Sequence, residues 1–161
     1  MNSSTVSHNL FQMPNVADFR DAAAALIILD DGRYLMQLRD DKPGIFYPNH
    51  WGLFGGAIEE KEDAEIALRR ELQEEIAYNV DEMTYFTRMD FGFEMLGGKS
   101  SKRLFYEVRM PATALRGLRL GEGHAMSAMA VDEILLEHRV VPYDSFAIWL
   151  HHVWRRSVKS D

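Results

Sequence analysis

Gly55 to Tyr78 reads GGAIEEKEDAEIALRRELQEEIAY, and the parsing of this stretch decides the fold. Ala64, Ala67, Leu68, Leu72 and Ile76 recur at helical spacing with no Gly or Pro between them. Asp63 stands where an N-cap belongs, and Glu62 and Glu65 flank the positive end of the helix dipole. At about 100° per residue, Glu75 falls inside the arc of Leu68, Leu72 and Ala64, with Glu71 and Glu74 along its edge. The acids are therefore predicted to face the body of the fold. For a charge run the ordinary alternative is a solvated face, here with Arg70 pairing Glu74 at i, i+4. The overlap with the apolar arc argues against it. Carboxylates this close repel one another and are costly to desolvate unless a cation lies among them. A divalent metal is the simplest such cation.

The positions of Gly56, Glu62, Arg70, Glu71, Leu72, Glu74, Glu75 and Tyr78 resemble the box of the Nudix hydrolase family (MutT-like), G-x5-E-x7-R-E-U-x-E-E-x-G-U with U a bulky apolar residue. One position departs: Ala77 stands where the second Gly ends the helix. Ala is penalised in a left-handed conformation, so Asn79, which tolerates it, is expected to take over the termination. His50-Trp51-Gly52-Leu53-Phe54-Gly55-Gly56 is similar to the family's strand and Gly-Gly turn, and the likeness runs from about Ala22 to Tyr78. It implies an α/β (α+β) fold, an α/β/α sandwich with a mixed sheet between helices. It also implies that Glu71, Glu74, Glu75 and the Gly55 carbonyl bind one to three Mg²⁺ or Mn²⁺ ions. By the same likeness Arg70 orients the acids by ion pairing, and Glu62 braces the loop through Arg70 or the helix amides.

Many family members carry a further glutamate downstream that binds metal or activates water. Glu122, in Leu120-Gly121-Glu122-Gly123-His124, is the candidate, since flanking glycines give a loop the reach to bring a carboxylate over a metal site. An ordinary turn acid is the competing reading, and Glu94 and Glu133 compete for the role. His124 is a candidate for stacking on substrate or hydrogen-bonding to it.

Composition bounds these readings. A chain of 161 residues, 47% hydrophobic, is long enough for one domain with a real core and short for two. Residues 1–18, polar and unpatterned, are expected to form an N-terminal arm, and 19–161 the domain. Eighteen basic residues against twenty-five acidic ones, a formal charge of −7, disfavour stable binding to nucleic acid or to an anionic membrane. No cysteine is present, which excludes disulfides, thiolate metal sites and thiol nucleophiles. No apolar run approaches the roughly 20 residues needed to span a bilayer, and no basic-then-apolar leader opens the chain, so the cytoplasm is the expected address.

Ala22 to Leu29 and Tyr34 to Leu38 are predicted strands around the Asp31-Gly32 turn, followed by a loop from Asp40 to Asn49. After the box helix, Met83 to Asp90 and Arg103 to Met110 read as strands joined around Gly97-Gly98, and Leu118 to Val131 as a strand or loop. Asp132 to Glu137 and Tyr143 to Arg156 read as helices. In the latter Phe146, Trp149, Leu150, Val153 and Trp154 follow helical spacing, so Trp149 and Trp154 are expected in the core. His151 and His152 point to different sides and are expected at solvent or the core edge.

The expected reaction is hydrolysis of the diphosphate linkage in a nucleoside diphosphate joined to another moiety, with a nucleoside triphosphate or nucleotide-sugar preferred over capped RNA because no basic patch tracks a polynucleotide. Hydrolysis brings water to an already anionic phosphorus, which calls for cationic charge and a base. Hard oxygen ligands suit Mg²⁺ or Mn²⁺. Glu71, Glu74, Glu75 or Glu122 is the candidate base. Tyr47, Trp51, Phe54 and His124 are the candidate substrate contacts, with Phe46, Phe91, Phe93 and Tyr106 as further aromatics of interest. A catalytically inactive Nudix-like nucleotide-binding or regulatory module is the alternative; against it stand the intact box acids and a length that leaves no room for a second domain. Isopentenyl diphosphate isomerase, Nudix-like but dependent on an added cysteine, is disfavoured by the lack of one. A homodimer is compatible with the resemblance.

Overall fold

The computed structural model describes residues 20–92 and 99–158, so the expected arm, Phe93, Glu94 and the Gly97-Gly98 turn lie outside the described residues. Ala22–Leu29 (β1) is an unbroken apolar run, as suits a central strand covered on both faces. It runs parallel to Ser101–Met110 (β6) over its whole length, from Ala22↔Arg103 to Leu29↔Met110. Thr84–Phe91 (β5) pairs antiparallel with β6 on the outer side.

On the other edge of β1 the sheet splits. Tyr34–Leu38 (β2) meets β1 in register only at Ile28↔Tyr34. Beyond that point Phe54–Ala57 (β4) takes the edge of β1 between Ala22 and Ala25. Trp51–Gly52 (β3) takes β2 at Gln37 and Leu38. One short segment, broken at Leu53, thus fills the gap between two diverging strands. Ala125–Met129 (β7) pairs antiparallel along β2 and completes the seven strands of the sheet among the described residues.

Alternation along the strands builds two cores. Ala23, Ala25, Ile27, Val108 and Met110 pack with Leu68, Leu72 and Ile76 of the helix Ala64–Ile76 (α1). Ala24, Leu26, Ile28, Met36 and Phe105 pack with Ile134 of Val131–Glu137 (α2) and with Ala147 and Ile148 of Pro142–Val158 (α3). Each fully buried Leu or Ile contributes about 1.5–3 kcal/mol relative to exposure. The result is the expected α/β/α sandwich around a mixed sheet. Between β6 and β7 the chain also forms a 3₁₀ stretch, Ala112–Gly117, that the sequence reading did not anticipate.

Helix α1 begins as expected: the Asp63 side chain accepts from Ile66 N at 2.9 Å. Its end corrects the expectation. Ala77 itself adopts the left-handed conformation, φ 54° and ψ 36°. Tyr78 N reaches back to Leu72 O at 3.2 Å, closing the helix without Asn79.

Helix α3 is turned relative to its expected face. Its buried residues are Asp144, Ala147, Ile148 and His151, an i, i+3, i+4, i+7 stripe in which two members are polar. Phe146, Trp149, Val153 and Trp154 are exposed instead of buried. Polar tethers account for the rotation. Asp144 Oδ2 accepts from Leu53 N at 2.9 Å, and His151 lies between Tyr34 Oη at 2.8 Å and Glu107 Oε2 at 2.7 Å. The small Ala147 lets the helix approach the sheet, and the bulky rings are left on the outer side.

Candidate active site

The box residues meet where α1 crosses β4. Arg70 is the hub: Nε and Nη2 donate to the two Glu62 oxygens at 3.1 and 3.0 Å, and Nη1 donates to Glu71 Oε1 at 2.8 Å. Weaker links reach Glu74 at 3.4 Å and the Ala57 carbonyl at 3.2 Å. The Arg70 guanidinium holds the Glu62 carboxyl below the usual carboxylate range, and its own pKa is raised by its hydrogen bonds to Glu62 and Glu71. Arg70 is thus hydrogen-bonded to both Glu62 and Glu71.

The three acids differ in environment. Glu75 is only 7% exposed, and its carboxylate accepts from Gly55 N at 2.8 Å and from Gln37 Nε2 at 3.0 Å. Burial pushes its pKa up to about 8; the Gly55 amide opposes the shift, and the charges of Glu71 and Glu122 add to it. Glu71 is partly buried, and its carboxyl lies directly over Gly56: a Cβ there would sit 2.5 Å from it. Glu74 extends into solvent, 59% exposed, outside the inward arc expected for all three acids.

Gly55 also has no room for a side chain. At φ 126° a Cβ would lie 2.2 Å from Ala23 O.

The loop after the 3₁₀ stretch brings Glu122 to the same place. Arg119 N and Gly121 N donate to the Ile76 and Glu75 carbonyls at 3.2 and 2.7 Å, satisfying the helix end. Gly121 fits so closely that a Cβ would come within 2.4 Å of Glu74 O. Glu122 follows immediately, exposed, with its charge felt by both Glu75 and Lys42. His124 is exposed beside it, its N donating to Leu38 O at 2.8 Å.

Among the described residues no three His, Asp or Glu side chains are gathered into a ready ion cage. The donor set fits a hard divalent cation all the same: it is all oxygen, and it includes a buried carboxyl whose ionised form is disfavoured by burial more than the charge of Arg39 offsets.

On the other side of the β4 glycines lies a cavity of about 210 Å³. Gly55, Gly56 and Ala57 form one side, Phe46, Phe91 and Tyr143 supply aromatic walls, and Arg20, Arg39 and Arg103 supply positive charge. The candidate substrate contacts divide. Tyr47 lies next to the cavity, its ring 5.9 Å from that of Tyr143. Trp51 packs against His138, 5.8 Å between centroids, away from the lining. Phe54, expected to contact substrate, is instead wholly buried under α1, because its side chain points to the face opposite that of Gly55. Tyr106 likewise belongs to the α1 core.

Sequence reasoning missed Arg39, Arg103 and Tyr143. Arg39 follows directly on β2, close to the acids, and is the one of the three that a sequence signal could have flagged.

This fold and this arrangement of acids over a glycine strand define a Nudix-type domain. The NUDIX domain family model matches residues 18–150, and the chain belongs to that family. Over 50 residues it is 46% identical to nucleoside triphosphatase NudI of Escherichia coli O139:H28, a match covering 31% of this chain and 35% of that protein. The chain therefore matches about a third of that relative's length. A MutT protein from Methanosarcina mazei Go1 superposes with a TM-score of 0.69 at 18% identity, covering 87% of this chain and 96% of that one. The NUDIX domain of Shewanella oneidensis NrtR, complexed with ADP ribose, gives a TM-score of 0.66 at 17% identity over 98% and 99% of the two chains. At these identities the structural likenesses show the fold alone.

Proposed function

We propose that the protein hydrolyses the diphosphate linkage of a nucleoside diphosphate derivative, a nucleoside triphosphate or nucleotide-sugar, with Mg²⁺ or Mn²⁺ held by Glu71, Glu74, Glu75 and the Gly55 carbonyl, and with Glu122 in reach. One observation carries this reading: Glu71 and Glu75 rest on the same two glycines that line the aromatic and arginine-rich cavity. A linkage lying along that strand would have its phosphates at the acids and its nucleoside in the cavity.

A bound divalent ion supplies the positive charge that offsets the phosphate oxygens. The protein's own groups do the rest. Arg70 fixes the Glu71 carboxylate, and the Gly55 amide and Gln37 fix that of Glu75, so the acids are oriented before substrate arrives. Water adds to one phosphorus, the bridging P–O bond breaks, and a glutamate takes the proton. From a triphosphate the products are a monophosphate and pyrophosphate. The cytoplasm, with its nucleotide pool, is the proposed place of work; no helix among the described residues is long and apolar enough to cross a membrane.

The test is a chromatographic screen for release of nucleoside monophosphate from nucleoside triphosphates and nucleotide-sugars with Mg²⁺, Mn²⁺ or EDTA. Release that requires the metal is expected for at least one substrate. Binding of a nucleotide with no turnover anywhere in the screen would favour the regulatory module instead.

A further inference from the structure

We propose that Arg103 selects the nucleobase, favouring one that presents carbonyl acceptors (guanine, uracil or thymine) over adenine or cytosine. The inference rests on the proposed nucleotide site and names the part of the substrate that enters its cavity. Arg103 is on β6, pointing to the α3 side, and lines the cavity directly opposite the glycine strand. Its guanidinium lies 4.9 Å from the Tyr143 ring centre and 5.8 Å from that of Phe105.

The Arg103 side chain is held but not used up. Nη2 is 3.3 Å from Asp144 Oδ1 and Nε is shut off from the cavity without a hydrogen-bond partner, which leaves Nη1 to meet a ligand. Asp144 is itself anchored to Leu53 N, at the break between β3 and β4, so the fork is tied to the strand whose glycines the acids rest on.

Two features point to a base in preference to a further phosphate. Asp144 already offsets the Arg103 charge, and Phe46, Phe91 and Tyr143 offer flat apolar surface on which a ring can stack. The polar lining then sets which base. A guanidinium donates and never accepts, and the three in the cavity outnumber the Ser101 and Tyr143 hydroxyls, which can do either. Guanine O6 and N7, or the O4 of uracil and thymine, meet such donors, whereas the amino groups of adenine and cytosine bring a donor to a donor. An unmatched buried donor is disfavoured far more than a missing contact.

The experiment is equilibrium binding of GMP, UMP, AMP, CMP and ribose 5-phosphate to the full chain by calorimetry without metal, so that turnover plays no part. GMP or UMP is expected to bind at least about tenfold tighter than AMP and CMP; whichever is tighter says whether the pocket takes a purine or a pyrimidine. Arg103→Lys keeps the charge beside Asp144 but loses the planar fork, and Arg103→Gln offers both a donor and an acceptor. Both variants should shrink the preference, with folding checked by circular dichroism. If Arg103→Gln fails to fold, Arg103→Lys decides. AMP binding as tightly as GMP and UMP, ribose 5-phosphate binding as tightly as the nucleotides, no binding at all, or a preference intact in the folded variants would each overturn the proposal. Base-selective binding beside a failed release screen would remove the hydrolase reading and leave this one standing.

Discussion

Glu71, Glu74 and Glu75 belong to one motif yet have three different surroundings: an arginine, open water and a buried amide. Gly56 is what permits this, because the Glu71 carboxyl fills the space a side chain would need. Gly56→Ala is therefore expected to displace Glu71 and lower activity at least about a hundredfold, while stability falls by only about 1–3 kcal/mol. Parallel kinetics and urea unfolding check it; an active Gly56→Ala protein would show that Glu71 need not sit there. The acids were legible because helical spacing and a fixed motif both point to them. Arg103 and Asp144 were not. They are 41 residues apart in sequence and pair only after β6 and α3 have packed, and neither stands in a motif.

At the scale of elements, α1 closes on a residue that does not suit its conformation. Ala77 at φ 54° carries a penalty of about 1–2 kcal/mol that glycine lacks. Ala77→Gly should raise the unfolding free energy by about 1 kcal/mol after the extra flexibility of the unfolded chain is subtracted. A urea melt reads this, and a less stable variant would refute it. The strands β1 and β2 matched their expected bounds because apolar runs and a turn dipeptide delimit them. The rotation of α3 was not legible, since two of its four buried positions are polar and the larger apolar residues lie elsewhere on the helix.

The His151 tether also makes α3 sensitive to pH. Glu107 Oε2 accepts from Nε2–H, and in the neutral imidazole Tyr34 donates to Nδ1. Burial lowers the His151 pKa from its ordinary 6.5, outweighing the Glu107 contribution that raises it. Burial pushes Glu107 up, but hydrogen bonds from Arg109 and His151 outweigh it and hold this carboxyl below its ordinary 4.5. Both folded pKa values are depressed, so both contributions are present above the unfolded values and are lost as pH falls. Stability should decline as pH drops below about 6.5, and His151→Gln should flatten that part of the curve. An unchanged pH profile in a folded His151→Gln protein would contradict the assignment.

Across the whole molecule, the divergence of β1 from β2 is what creates the site. The gap admits β3 and β4, and β4 places glycines where acids reach them from one face and an open cavity from the other. The loop that closes the end of α1 adds Glu122 from a distant part of the chain. The interleaving of strands and helices was legible from apolar patterning, the sandwich from the resemblance to the Nudix family, and the position of the acids from one motif. The cavity walls were not, since they come from β1, β4, β5, β6, the loop after β2 and α3 and converge only in three dimensions. The account stands on the acids working through a divalent cation on a diphosphate. The most direct measurement follows nucleoside triphosphate by phosphorus NMR with Mg²⁺ or Mn²⁺, comparing the wild-type protein with Glu74→Gln and Glu75→Gln. Monophosphate and pyrophosphate signals should grow with the wild-type protein, fall to a small fraction in each variant and vanish with EDTA; signals undiminished in both folded variants would contradict the account.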